Sequence, residues 1–212
     1  DNLLLLHHDL FQSFFKKLSK KINYHIDFER ISIELSNQKT LSKKFNTDIY
    51  QCKYKIQQLN QIDLVITNKS AHFLCHRLCG GASAPNHNTS LTNVEISVIS
   101  IINNLMLQEI SDHWKQIFLP PSNAKHVINY GNYKYNPQQA AQDSVIEVTG
   151  NFKLFQQAGL SIKLLYSMES IEKLLDLSKN LTSSIEEKII LNESTLKKTT
   201  VNSKSIIGKT TL

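Results

Sequence analysis

One order of patterns (helix, strand, strand, strand, helix) runs twice through the first 177 or so residues, and this repetition limits the possible folds more than any other feature. In the first unit, Leu3, Leu6, Leu10, Phe14 and Leu18 recur at spacings of three and four, which predicts a helix over residues 3–21. From Asn23 to Leu35, apolar Ile26, Phe28, Ile31 and Ile33 alternate with polar residues, the period of a strand. Ile49–Gln58 and Ile62–Thr67 read as two strands around a turn near Asn60, and a helix follows over Ser70–Leu78. In the second unit, strands over Val145–Leu154 and Leu160–Leu165 flank a turn at Ala158-Gly159, and a helix covers Met168–Leu177. A constant shift of 98 lays Tyr54-Lys55-Ile56 on Phe152-Lys153-Leu154, Ile62 and Leu64 on Leu160 and Ile162, and Phe73 on Ile171. Two such units predict a pseudo-twofold α/β domain of three layers, α/β/α, with a mostly antiparallel central sheet and helices outside it.

The units are joined through a loop, Ala82–Thr89, and a long helix. Gly80-Gly81 stops the first unit's last helix. Thr92-x-x-Glu95 is a capping box, in which each side chain satisfies a backbone N–H that the first helical turn leaves unpaired. The helix it opens is expected to reach Ile117, before Pro120-Pro121. Ser97, Ser100, Asn104, Gln108 and Ser111 form its polar seam. Val94, Val98, Ile99, Ile101, Ile102, Leu105, Met106, Ile110 and Trp114 occupy most of the rest, so the helix is expected to be buried on more than one side.

Charge excludes less than it suggests. The net charge is +6, but only two of the 24 basic residues are arginine, and no aromatic residues interleave with basic ones as in a nucleic-acid surface. The first lysine cluster, Lys16, Lys17, Lys20 and Lys21, falls at a helix C-terminus, where cations complement the macrodipole. No nucleic-acid partner is expected. Three cysteines, Cys52, Cys75 and Cys79, do not make a disulfide framework and suit a reducing compartment. The longest purely apolar run, Leu3–Leu6, is far too short to span a bilayer as a helix.

Candidate chemistry is sparse. His72, Cys75, His76 and Cys79 sit near one helical face, and all are zinc-ligand types. Four ligands on two successive turns do not converge on a tetrahedron, so the expectation is no metal, with the cysteines acting as small apolar residues. No serine or cysteine stands in an elbow-like glycine context. Gly208-Lys209-Thr210 lacks the rest of a phosphate-binding loop, and no cofactor is expected.

Six landmarks taken in order carry a family resemblance. Leu78-Cys79-Gly80-Gly81-Ala82-Ser83 is similar to a Leu-Phe-Gly-Gly-x-Gly loop, Thr92-x-x-Glu95 to a Thr-Glu helix start, and His113-Trp114 to an Ala-Trp helix end. Tyr135–Val148 resembles a segment of aromatic, Asn and Pro residues that leads into an apolar strand. Tyr166–Leu175 resembles a Phe/Tyr-Ser-Met…Leu ending, and Ile206–Leu212 the opening of a SpoA-type domain. Together they resemble the middle, CheC-like domain of the FliM family of flagellar motor switch proteins. Ser83 stands where the family has its last loop glycine, and Cys79 where it has Phe.

The resemblance implies a CheC-like middle domain over residues 1–178, a linker over 179–198 with a helical turn near Glu186–Ile190, and the start of a truncated SpoA-type domain over 199–212. The chain opens at Asp1, so it is expected to be a fragment, without the family's N-terminal peptide for phosphorylated CheY. The implied function is that of a non-enzymatic rotor subunit at the cytoplasmic face of the bacterial inner membrane. Its implied partners are FliG, bound at Gly80, Gly81, Ala82 and Ser83, neighbouring FliM copies in a ring, and FliN-type subunits through the truncated domain. The wider CheC-like group includes phosphatases of phosphorylated CheY, in which an acidic residue and an amide one helical turn apart position water. Here Glu95 is followed three residues later by Val98, whereas Asp9 with Gln12 has the right chemistry without the surrounding motif. A third reading is a type III secretion sorting-platform protein, from which the Gly80-Gly81 landmark points away.

Overall fold

The computed structural model describes residues 2–45, 48–56, 60–83, 85, 89–114, 126–131 and 144–177. The end of the long helix beyond Trp114, Pro120-Pro121, the Tyr135–Asp143 part of the aromatic segment, the linker and the SpoA-like start lie outside the described residues. In chain order the elements are α1 (Asn2–Lys21), β1 (Asp27–Asn37), α2 (Gln38–Lys44), β2 (Ile49–Ile56), β3 (Asn60–Thr67), α3 (Asn68–Leu78), α4 (Asn93–Trp114), β4 (His126–Gly131), β5 (Ser144–Leu154) and β6 (Gln157–Ser167). Residues 168–177 then form a further helix, α5.

Six strands make one antiparallel sheet in the order β1-β5-β6-β3-β2-β4. The repeat read in the sequence is visible in the register. The 98-residue shift carries the pair Cys52↔Leu64 onto Gly150↔Ile162 and Tyr54↔Ile62 onto Phe152↔Leu160, so the β2–β3 and β5–β6 hairpins share one register. It also carries Leu64↔Leu164 onto Ile66↔Ile162 and maps Val65↔Lys163 onto itself. The pseudo-twofold axis therefore passes through the Val65–Lys163 pair. The outer strands are exchanged: β1 of the first unit joins β5, and β4 of the second unit joins β2.

Strand alternation sorts the sheet into two faces. One carries Tyr50, Cys52, Tyr54, Ile62, Leu64, Ile66, Val148, Phe152, Leu160, Ile162, Leu164 and Tyr166, all buried. The apolar stripe of α1 lies on this face: Leu10, Phe11, Phe14, Phe15 and Leu18 are buried, and the Phe15 ring is 5.0 Å from that of Phe152. Beside it, α4 presents Ile99, Ile102, Met106, Ile110 and Trp114. On the opposite face α2 places Leu41 and Phe45 over Ile49, Val65, Val145 and Leu165. The expected three layers are thus present and unequal, with one short helix on the second face.

Two expectations of detail change. The first strand begins at Asp27, because the chain turns at Asn23 (φ 48) and the Ile26 N–H donates to Ser19 Oγ. Burial on α4 is one-sided: Val94 is 73% exposed, and Val98, Ile101 and Leu105 are half-buried. Two polar residues instead occupy its inner side. Asn103 donates to Tyr50 Oη at 2.5 Å, and its carbonyl accepts from Tyr54 Oη at 3.2 Å. Glu109, fully buried, pairs with Lys17 of α1 and raises the Lys17 pKa.

Among the described residues of α1, the buried polar one is His7. Its Nδ1 donates to the Leu3 carbonyl at 2.8 Å, so Nε2 accepts from Tyr166 Oη at 2.8 Å, and the ring meets Trp114 edge-on. Burial lowers its pKa from 6.5 to about 4. The folded state therefore favours neutral His7. This stabilisation is complete above pH 6.5 and is lost as pH falls from 6.5 to 4, in all about 3 kcal/mol. Urea unfolding at several pH values is expected to show a wild-type advantage over His7→Gln that is flat above pH 7 and shrinks by about that amount near pH 4. A difference that does not change with pH would contradict the buried neutral imidazole.

Candidate functional site

Helix α3 follows β3 without a break. Thr67 is its N-cap, accepting from the Ser70 N–H, while the Ser70 hydroxyl accepts from the Ser161 N–H of β6 at 2.9 Å. The N-terminal end of the helix is therefore fixed to the sheet. At the C-terminal end, the Gly80 N–H bonds the Arg77 carbonyl at 3.0 Å and the Gly81 N–H bonds the His76 carbonyl at 2.9 Å. These two bonds form a Schellman motif with Gly80 in the left-handed region at φ +87.

The two glycines serve different ends. A Cβ at Gly80 would meet no atom within 4 Å, so its requirement is purely the backbone angle. A Cβ at Gly81 would lie 2.1 Å from Nε2 of His76 and 2.3 Å from Cδ2, so its requirement is room for an imidazole packed on the backbone. The close approach that the second glycine permits is internal. Gly80, Ala82 and Ser83 are exposed, and Gly81 is half-buried. Arg77 holds the loop from below by donating Nη1–H to the Gly81 carbonyl at 2.7 Å.

Beneath the loop, His72, Cys75, His76, Cys79, Pro85, Thr89 and Glu95 line a half-open cavity of about 320 Å³. The histidine–cysteine motif of α3 is thus gathered on one wall, as its spacing implies, yet its atoms have other duties. His72 Nε2 donates to the Thr89 carbonyl at 2.7 Å, with Nδ1 3.8 Å from Glu95 Oε1. The Cys75 thiol is directed at the Glu95 carbonyl at 3.9 Å, and burial pushes its pKa up to about 12. Cys79 is exposed. Among the described residues no three His, Cys, Asp or Glu side chains are grouped to hold a metal ion.

Glu95 closes the capping box. Its Oε2 accepts from both the Thr92 N–H and the Thr92 hydroxyl at 2.8 Å, and its own N–H bonds Thr92 Oγ1 at 3.3 Å. These bonds, the backbone one first, lower its pKa despite partial burial. Asp9 and Gln12, the other acid–amide pair, both lie on the exposed side of α1, and Asp9 contacts His8 at 3.4 Å.

No family model matches this sequence, and no curated protein does. Solved structures match the fold. A chain of the FliG–FliM complex from H. pylori aligns with a TM-score of 0.65 at 18% identity, over 82% of this chain and 95% of that one. The FliM middle domain from H. pylori aligns with a TM-score of 0.64 at 14% identity, over 82% and 95%. Thermotoga maritima FliY aligns with a TM-score of 0.62 at 15% identity, over 80% and 89%. This chain has the fold of the FliM middle domain.

The different roles of the two glycines can be measured. Gly80→Ala is expected to cost about 1 kcal/mol through its backbone angle alone, or about 2–4 °C in melting temperature. Adding His76→Ala should leave that cost unchanged, but should reduce the cost of Gly81→Ala by removing the ring its Cβ strikes. Equal relief at both positions would show that this account of the loop is wrong.

Proposed function

We propose that this chain is a non-enzymatic subunit of a flagellar motor switch, and that it binds FliG through Gly80, Ala82 and Ser83, with Gly81 holding the loop in shape. The observation that carries the reading is the exposed, Schellman-closed loop at the end of a helix capped onto the sheet, in a chain with the FliM middle-domain fold. A FliM chain of the same fold is found in complex with FliG in the H. pylori structure. A loop of small residues on a fixed helix end can be approached closely and loses little conformational entropy on docking.

Neighbouring copies of the chain at its sides and FliN-type subunits through residues 199–212 complete the proposed set of partners. Switching would then be a change in packing between rotor subunits, biased by differential contacts rather than by chemistry within this domain. The proposed location is the cytoplasmic face of the inner membrane, at the flagellar basal body. Among the described residues no helix is long and apolar enough to cross a membrane.

The phosphatase alternative would need an acid followed one turn later by an amide at the start of α4, and Glu95 is followed three residues later by Val98. Glu95 is held in its capping box, and Asn103, the inward amide of that helix, is buried on Tyr50. This supports reading the domain as a scaffold.

Ala82→Arg and Ser83→Arg add bulk to exposed loop positions without touching either glycine. Each is expected to weaken binding of the FliG middle domain from the same organism at least tenfold, about 1.4 kcal/mol, with an unchanged circular dichroism spectrum. Wild-type affinity in both variants would remove the loop from the interface.

A further inference from the structure

Arg77 joins three turns that are remote in sequence. From the last turn of α3, its Nη1 donates to the Gly81 carbonyl at 2.7 Å and its Nη2 donates to the Asn23 carbonyl, in the α1–β1 turn, at 2.9 Å. The guanidinium carbon lies 4.7 Å from the centre of the Tyr24 ring and 6.0 Å from that of Phe155, in the β5–β6 turn. Tyr24 and Phe155 contact each other at 4.9 Å, and Phe155 also meets Phe73 and His76 of α3.

The backbone around this cluster is unusual. Asn23 (φ 48), Phe155 (φ 55) and Gln156 (φ 62) are the non-glycine residues with positive φ among those described, and all belong to the two turns that Arg77 and its rings join. Such angles persist where surrounding contacts hold them. None of the carboxylates described pairs with Arg77. Its charge is balanced by two carbonyls, two aromatic faces and the C-terminal end of α3. Only a planar fork can reach both carbonyls while lying on a ring, and an ammonium cannot.

We propose that Arg77 is the positioning residue of the docking loop. By tying Gly81 to the α1–β1 turn, and both to the β5–β6 turn, it presents Ala82 and Ser83 already shaped for a partner. This inference rests on the proposed docking role of the loop. It adds that the affinity of the loop is set by a residue beneath it, and that the Tyr24–Phe155 contact is part of the same device.

The test uses the full chain, well below its melting temperature, with the FliG middle domain from the same organism as the probe. Arg77→Gln and Arg77→Lys are each expected to weaken binding at least fivefold, with no rescue by lysine. Amide hydrogens of residues 80–83 should exchange at least tenfold faster, while those of β3 and β6 keep wild-type rates. Tyr24→Ala should act in the same direction, and its effect combined with Arg77→Gln should be less than additive. Should Arg77→Gln fail to fold, Tyr24→Ala, which leaves both hydrogen-bonded carbonyls in place, carries the test. If Ala82→Arg abolishes binding but Arg77→Gln and Arg77→Lys bind as the wild type does, the inference is overturned and the docking role stands. If Ala82→Arg also binds as the wild type does, both fall.

Discussion

The antiparallel pairing of β3 with β6 is the seam on which the rest of this structure depends. Each of these strands is the inner arm of a hairpin, and the pseudo-twofold axis crosses between them at Val65 and Lys163. Because the outer strands are exchanged, neither unit can complete its sheet alone: β1 has its partner in the second unit and β4 has its partner in the first. Contacts between units therefore include ladders of backbone hydrogen bonds as well as side-chain packing. The seam also sets the start of the helix that carries the proposed docking loop, since α3 is capped by the last residue of β3 and tied by Ser70 to β6. The same cap recurs in the second unit, where Ser167 accepts from the Ser170 N–H at 3.1 Å at the start of α5.

The symmetry is broken where charge enters. Position 65 is an apolar valine, whereas its equivalent, Lys163, brings an ammonium to the sheet face under α2. Lys163 pairs with Glu147 at 2.5 Å, and Lys44 of α2 reaches the same carboxylate oxygen at 2.8 Å. Burial raises the Glu147 pKa, and the two lysines more than offset it, leaving the carboxyl below its usual range. A buried pair of this kind adds little net stability. Removing one partner, however, strands a charge at a cost of several kcal/mol, so the cluster fixes where α2 sits more than how firmly the sheet holds.

What could be read from the sequence follows from how local each signal is. Strands β2, β3, β5 and β6 and helices α1, α3 and α4 carry their own periodicity and caps, and the repeated hairpins made the twofold visible. Helix α2 has only Leu41 within its seven residues as a buried apolar anchor and a single cap bond from Asn37, so no pattern announces it. The polar seam of α4 was legible in Ser97 and Asn104. Asn103 and Glu109 were not, because the partners that let them face inward, Tyr50 and Lys17, are more than fifty residues away. The glycine pair was legible as a helix stop and as a candidate loop. That Gly81 makes room for His76 depends on the direction the imidazole takes within the same turn, and that Arg77 bonds Asn23 and lies near Phe155 depends on contacts between distant turns that no spacing reveals.

On the proposed function, a scaffold locked by exchanged strands presents the α3 loop, with its two supporting turns, as the face that meets a partner. The most direct test is amide chemical-shift mapping of the isotope-labelled chain against unlabelled FliG middle domain. Perturbations are expected to concentrate at residues 80–83 and to spread to 23–24 and 155–156, with the β3–β6 seam unchanged. Perturbations confined to β1 or to the first turns of α1, with residues 80–83 silent, would contradict it.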